Sequence, residues 1–150
     1  MQKIKVSLIG YGYWGAKLAR NFQNSNFFNL VSIIDTSQKN LTKAKKDFPL
    51  VRADKNYKDI LKIKNISLVI ISTPTKTHTE IAKFAIKQDK HVLVEKPLSL
   101  TLNEVTKLEN LAKKNKKLLF VDYPFLFSGS INYIKKMIDS KKYGDLLEIE

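Results

Sequence analysis

Apolar and polar positions alternate along this chain in two rhythms. Short, almost wholly apolar runs are separated by longer stretches in which apolar residues recur every three or four positions. The first rhythm reads as strands buried on both faces, the second as amphipathic helices. The apolar runs are Ile4-Lys5-Val6-Ser7-Leu8-Ile9, Leu30-Val31-Ser32-Ile33-Ile34, a short one from Val51 that fades at Asp54, Ile66-Ser67-Leu68-Val69-Ile70-Ile71, His91-Val92-Leu93-Val94 and Leu118-Leu119-Phe120-Val121. Between them Leu18, Ala19 and Phe22 share one helical face, as do Leu41, Ala44 and Phe48 within 37–48. Tyr57 to Leu61 reads as a helical turn. Ile81, Ala82, Phe84, Ala85 and Ile86 mark a further helix, and Val105, Leu108, Leu111 and Ala112 another. Ile131, Ile134, Met137 and Ile138 mark a last one, closed by Gly144, after which Leu146 to Glu150 reads as the start of a strand.

Punctuation supports these elements. Pro49 stops the helix before it. Thr77-His78-Thr79-Glu80 and Thr101 with Glu104 have the spacing of capping boxes, in which a threonine hydroxyl and a glutamate satisfy the first N–H groups of a helix. Strands alternating with helices over short connections predict an α/β fold with a parallel, doubly wound sheet. Ligands of such sheets bind at the carboxyl ends of the strands. Here those ends carry Gly10, Asp35, Thr73-Pro74, Glu95-Lys96-Pro97 and Asp122-Tyr123.

The first of these ends carries the sharpest motif. Gly10-Tyr11-Gly12-Tyr13-Trp14-Gly15 follows a strand and opens a helix, and Asp35 closes the next strand 20 residues beyond Gly15. That is the order and spacing of the dinucleotide fingerprint. Gly10 permits the turn, Gly12 lets a pyrophosphate approach the backbone, and Gly15 lets the helix pack on the strand. The helix N-terminus offers free N–H groups and the positive end of its dipole to the phosphates. Tyr13 and Trp14 contribute N–H groups there, while their rings flank the cofactor or pack locally. Asp35 accepts from the adenosine ribose diol and repels a 2′-phosphate, which favours NAD over NADP. The bland alternative is a glycine turn in a nucleotide-free domain with Asp35 as a solvated strand end; the spacing argues against it.

Composition narrows the picture. The chain is long enough for one domain with its own core. It has no cysteine, which excludes disulfides, thiolate metal sites and a cysteine nucleophile. Its two histidines, His78 and His91, fall on opposite edges of the predicted sheet, so no metal site is expected. No apolar run reaches the roughly 18 residues of a membrane span, and the N-terminus enters a strand at once; a cytoplasmic protein without membrane partners is expected. The net charge of +13 raises nucleic acid as a partner. Yet arginine, the side chain suited to bidentate phosphate and base recognition, occurs only at Arg20 and Arg52. The lysines are spread along the chain, which reads as a solvated surface rather than a specific nucleic-acid site.

Taken together, Gly10-Tyr11-Gly12-Tyr13-Trp14-Gly15, Asp35, Ser72-Thr73-Pro74 with His78, and Glu95-Lys96-Pro97 resemble the N-terminal half of the Gfo/Idh/MocA oxidoreductases, the glucose–fructose oxidoreductase and inositol dehydrogenase relatives. The resemblance spans essentially all 150 residues, with about 1–122 as the Rossmann core and 123–150 leading toward a second, substrate-binding domain. It implies an NAD-dependent hydride transfer to or from a secondary alcohol of a sugar, nucleotide sugar or cyclitol, and a homo-oligomer when complete. It places Thr73, Pro74 and His78 along the ribose and nicotinamide side of the cofactor, Glu95 by the nicotinamide ribose, and Lys96 where nicotinamide meets the substrate hydroxyl. Tyr123 joins the cofactor-facing set. Many members carry Gly-His or Asn-Arg after the sixth strand and an Asn-Pro before the next helix; this chain has Asp122-Tyr123-Pro124 and Ser128-Gly129. A dinucleotide-binding module without catalysis of its own is the alternative reading.

Overall fold

The strands are apolar on both sides because both sides are covered. In strand β1 (Ile4–Ile9) Val6 and Leu8 enter one core layer and Ile9 the other. In β4 (Leu68–Ile71) Ile70 joins the first layer while Val69 and Ile71 join the second. This alternation follows from the period-two geometry of a strand. The computed structural model describes residues 2–148.

The remaining elements are α1 (Tyr13–Asn24), β2 (Phe28–Ile34), α2 (Gln38–Asp47), β3 (Arg52–Asp54), α3 (Tyr57–Leu61), α4 (His78–Lys87), β5 (His91–Glu95), α5 (Leu102–Lys114), β6 (Leu119–Asp122) and α6 (Gly129–Asp139). The strands form one parallel sheet in the order β3-β2-β1-β4-β5-β6. Ala19 of α1 and Ala44 of α2 pack on one face; Ile60 and Leu61 of α3, Ile86 of α4 and Leu108 of α5 pack on the other. The chain runs outward from β1 in both directions, so a crevice opens between the carboxyl ends of β1 and β4. All six sequence-predicted strands and the helices between them are present.

Four local expectations are corrected. Helix α1 begins at Tyr13, inside the glycine motif, so Gly15 lies in its first turn. The Thr77 capping box does not form. A 3₁₀ turn over Thr75–Thr77 runs straight into α4, and the Thr77 hydroxyl turns back to the Pro74 carbonyl (2.7 Å) and the Thr73 hydroxyl (2.8 Å). Glu80 instead accepts from the Tyr57 hydroxyl at 3.0 Å. The Thr101 box is half made: its hydroxyl accepts from the Glu104 N–H at 3.4 Å, while the Glu104 carboxylate takes the Ser99 hydroxyl. The strand expected from Leu146 is not formed through Glu148, and Ile149 and Glu150 lie outside the described residues.

From Tyr123 to Glu148 the chain is largely exposed. No residue of α6 is buried, and Phe125, Phe127, Ile131 and Ile134 face solvent.

Candidate functional site: the crevice at the strand ends

The glycine motif is shaped by contact rather than by flexibility alone. Gly10 has φ +93°, a conformation that disfavours side chains, and a Cβ there would strike the Ser72 carbonyl. A Cβ on Gly15 would strike the Gly10 carbonyl oxygen, so this residue sets how closely α1 lies on the turn after β1. Gly12 differs from both. A Cβ there would meet nothing, because the space before it is open crevice. Gly12 is also the N-cap of α1 and offers no side chain to its first N–H groups. An open cradle, free N–H groups and a helix N-terminus are what an anionic pyrophosphate requires, so the chain's own geometry fits a dinucleotide.

Beside Gly12 lies a cleft of about 540 Å³ lined by Asp35, Ser37, Asn40, Lys55, Thr73 and Pro74, among others. Asp35 sits where β2 ends. Its carboxylate accepts from the Tyr11 N–H (2.7 Å), the Ser37 N–H (2.7 Å) and the Asn40 side-chain amide (3.0 Å). Tyr11 is itself buried, with its hydroxyl donating to Asp47 at 2.7 Å and its ring edge-on to Phe48. Burial and the Asp47 carboxylate together hold that phenol well above the usual tyrosine range. The turn carrying the first two glycines is thereby fastened to the end of β2 and to α2.

On the other side of Gly12 a smaller cleft of about 260 Å³ is lined by Tyr13, Trp14, Thr73, His78, Glu95 and Lys96. The Tyr13 and Trp14 rings pack edge to face and remain exposed, and the Lys17 ammonium lies 4.2 Å and 4.4 Å from their centres. Burial pushes the Glu95 carboxyl above the ordinary glutamate value, and the Asp122 carboxylate, opposite it in register, pushes the same way. The exposed Lys96 makes no ion pair among the described residues. His78 is 1% exposed. Its Nδ1 lies 2.9 Å from the Pro97 carbonyl oxygen and its Nε2 2.7 Å from that of Thr73. Each ring nitrogen thus faces a carbonyl oxygen, and the ring sits between the loop after β4 and the loop after β5.

The structure therefore brings Gly10, Gly12, Tyr13, Trp14, Gly15, Asp35, Thr73, Pro74, His78, Glu95 and Lys96 to one rim. Tyr123 stands on the neighbouring strand end, one residue beyond Asp122, which is opposite Glu95 in register. Tyr123 follows β6, the outermost strand on its side, lines neither cleft and is 47% exposed. Asn40, Ser37 and Lys55 line the site without having been singled out in the sequence. Only Ser37 carried a signal, as the N-cap of α2, where its hydroxyl accepts from the Asn40 N–H. His91 stands at the opposite end of the sheet, accepting from the Leu118 N–H at 3.0 Å. Among the described residues there is no cluster of three metal-ligating side chains, and no helix is long and apolar enough to cross a membrane.

A parallel sheet with a glycine turn at its switch point and a fixed carboxylate after the second strand defines a Rossmann domain of the dinucleotide-binding class. The chain belongs to the Gfo/Idh/MocA oxidoreductase family, NAD-binding Rossmann fold, whose profile matches residues 4–123. It is 30% identical over 141 residues to 1-carboxy-3-chloro-3,4-dihydroxycyclohexa-1,5-diene dehydrogenase of Comamonas testosteroni, covering 94% of this chain and 36% of that protein. Its fold superposes on myo-inositol 2-dehydrogenase of Lactobacillus plantarum with a TM-score of 0.88 at 28% identity, covering 97% of this chain and 44% of that one. It superposes likewise on biliverdin reductase of Synechocystis sp. PCC 6803, solved with biliverdin and NADP+, with a TM-score of 0.82 at 32% identity, covering 89% of this chain and 42% of that one. The chain thus spans less than half the length of these relatives.

Proposed function

We propose that this chain is the NAD-binding part of a dehydrogenase that moves a hydride between nicotinamide and a secondary alcohol of a sugar, nucleotide sugar or cyclitol. The observation that carries the cofactor assignment is the Asp35 carboxylate, held by three donors at the end of β2 and opening onto the same cleft as Gly12. A fixed negative charge there suits a ribose diol and opposes a 2′-phosphate, so NAD is preferred to NADP. The similarity to a myo-inositol 2-dehydrogenase and to a dihydroxycyclohexadiene dehydrogenase supports a cyclic, hydroxylated substrate.

A bound nicotinamide supplies the hydride acceptor or donor. Gly10, Gly12 and the start of α1 hold the pyrophosphate. Thr73 and Pro74 line the wall between the two clefts. Lys96 presents an ammonium to the substrate oxygen. In the reducing direction negative charge would grow on that oxygen as hydride adds to the carbonyl carbon, and the ammonium would stabilise it and hand it a proton; in the oxidising direction the hydroxyl proton would return to Lys96. Glu95 orients the nicotinamide ribose. The test is calorimetric titration of the chain and of Asp35→Ala with NAD and NADP. The substitution is expected to weaken NAD more than NADP. An unchanged preference removes Asp35 from the ribose and with it the basis for choosing NAD.

A further inference from the structure

Asp35 is more heavily engaged than a diol-binding carboxylate needs to be. A carboxylate offers about four lone-pair positions. Two donors, the Tyr11 N–H and the Asn40 amide, both lie on Oδ2, and the Ser37 N–H lies on Oδ1. One acceptor position, on Oδ1, remains for a ligand. An adenosine ribose brings two hydroxyls, each of which needs a partner once removed from water. The second must find another polar group on the same wall.

Of the polar side chains on that wall, Asn40 is the one already hydrogen-bonded to Asp35. It sits in the first turn of α2, half-buried, and lines the cleft next to Asp35. Its backbone N–H is used by the Ser37 hydroxyl and one side-chain N–H by Asp35. The carboxamide keeps its second N–H and its oxygen free of other described residues, so it can both donate to and accept from a hydroxyl. Resting on the dinucleotide reading above, we infer that Asn40 is a second specificity residue of the adenosine end. It takes one ribose hydroxyl directly while Asp35 takes the other. The pair reads an intact diol, with Asn40 adding a neutral contact to the charge selection that Asp35 makes.

The inference is separable from a purely supporting role, in which Asn40 only steadies the Asp35 carboxylate. The experiment is calorimetric titration of the chain and of Asn40→Ala with NAD and with its analogues lacking the adenosine 2′- or 3′-hydroxyl. Alanine is well tolerated in a helix first turn, so folding is not at issue. Loss of one such hydrogen bond is expected to weaken NAD about three- to tenfold. That loss should vanish for the one analogue missing the hydroxyl that Asn40 holds and persist for the other. A second titration in the Asp35→Ala background should still show the Asn40→Ala loss. Unchanged NAD affinity in Asn40→Ala, an equal loss for NAD and both analogues, or no further loss in the Asp35→Ala background each overturns the inference alone. Failure of the unsubstituted chain to bind NAD overturns the dinucleotide reading, and the inference with it.

Discussion

Gly12→Ala and Gly15→Ala form a pair that separates cofactor binding from folding. Both add one methyl group to the same motif, three residues apart. At Gly12 a Cβ meets nothing, and φ −78° with ψ −157° is a conformation that alanine adopts. Two small effects on stability oppose each other there. Alanine is a poorer N-cap than glycine, which costs up to about 1 kcal/mol. A stiffer unfolded chain returns about 0.4–1 kcal/mol. The net change is expected to stay within about 0.5 kcal/mol, or a Tm change of about 2 °C for a domain of this size. The methyl group nevertheless projects into the space reserved for the pyrophosphate, so NAD affinity should fall by more than about tenfold.

At Gly15 the added carbon overlaps the Gly10 carbonyl oxygen, a backbone atom that cannot swing aside. Helix α1 must then lift from the turn, loosening the packing of the buried Ala19. Overpacking of this kind costs about 1–3 kcal/mol, a Tm loss of about 3–10 °C. The assay is thermal unfolding of both variants with and without NAD. Gly12→Ala should melt like the unsubstituted chain and gain at most about half as much stability from NAD; Gly15→Ala should melt early. A Gly12→Ala chain that binds NAD normally would refute the placement of the pyrophosphate.

Three further outcomes are expected. Lys96→Ala should lower turnover of an alcohol substrate by about 10²-fold or more while cofactor affinity stays nearly unchanged, checked by steady-state kinetics beside calorimetry; near-normal turnover removes Lys96 from the chemistry. Glu95 has a folded-state pKa above its ordinary 4.5, so its favourable contribution is present at low pH and is lost as pH rises through the folded value. Glu95→Gln should therefore raise Tm at pH 7, with the gain shrinking below about pH 4, as thermal scans at the two pH values would show. His78→Ala leaves a cavity and removes the ring that lies between the Thr73 and Pro97 carbonyl oxygens, at a cost of about 2–4 kcal/mol, and calorimetric unfolding should register a Tm loss of about 5 °C or more.

The parallel strands were legible because burial on both faces writes them as unbroken apolar runs, and Asp35 because its spacing from Gly15 is a geometric requirement. Other parts were not legible, each for a physical reason. The Thr77 box failed because a 3₁₀ turn brings its hydroxyl back to Thr73 and Pro74, and spacing alone does not report what precedes a cap. Tyr123 lines neither cleft, since chain order gives the carboxyl end of each strand but not its lateral distance from the crevice, and β6 lies beyond β5 and β4 from β1. Asn40 was missed because a polar residue in the first turn of a lysine-rich helix is unremarked until its amide is seen on Asp35. His78 was expected to line the cofactor and does reach the cleft wall, yet its ring nitrogens face carbonyl oxygens of the two loops.

The central claim is that the crevice between β1 and β4 holds NAD through the glycine turn and Asp35. Thermal unfolding of the chain with NAD, and separately with NADP, tests it most directly. A ligand at about 100 times its dissociation constant adds about 2.7 kcal/mol to a native state it alone recognises, a Tm rise of about 5–10 °C here. A rise of that size with NAD and little or none with NADP is the predicted result. No rise with NAD, or a larger one with NADP, would contradict the account.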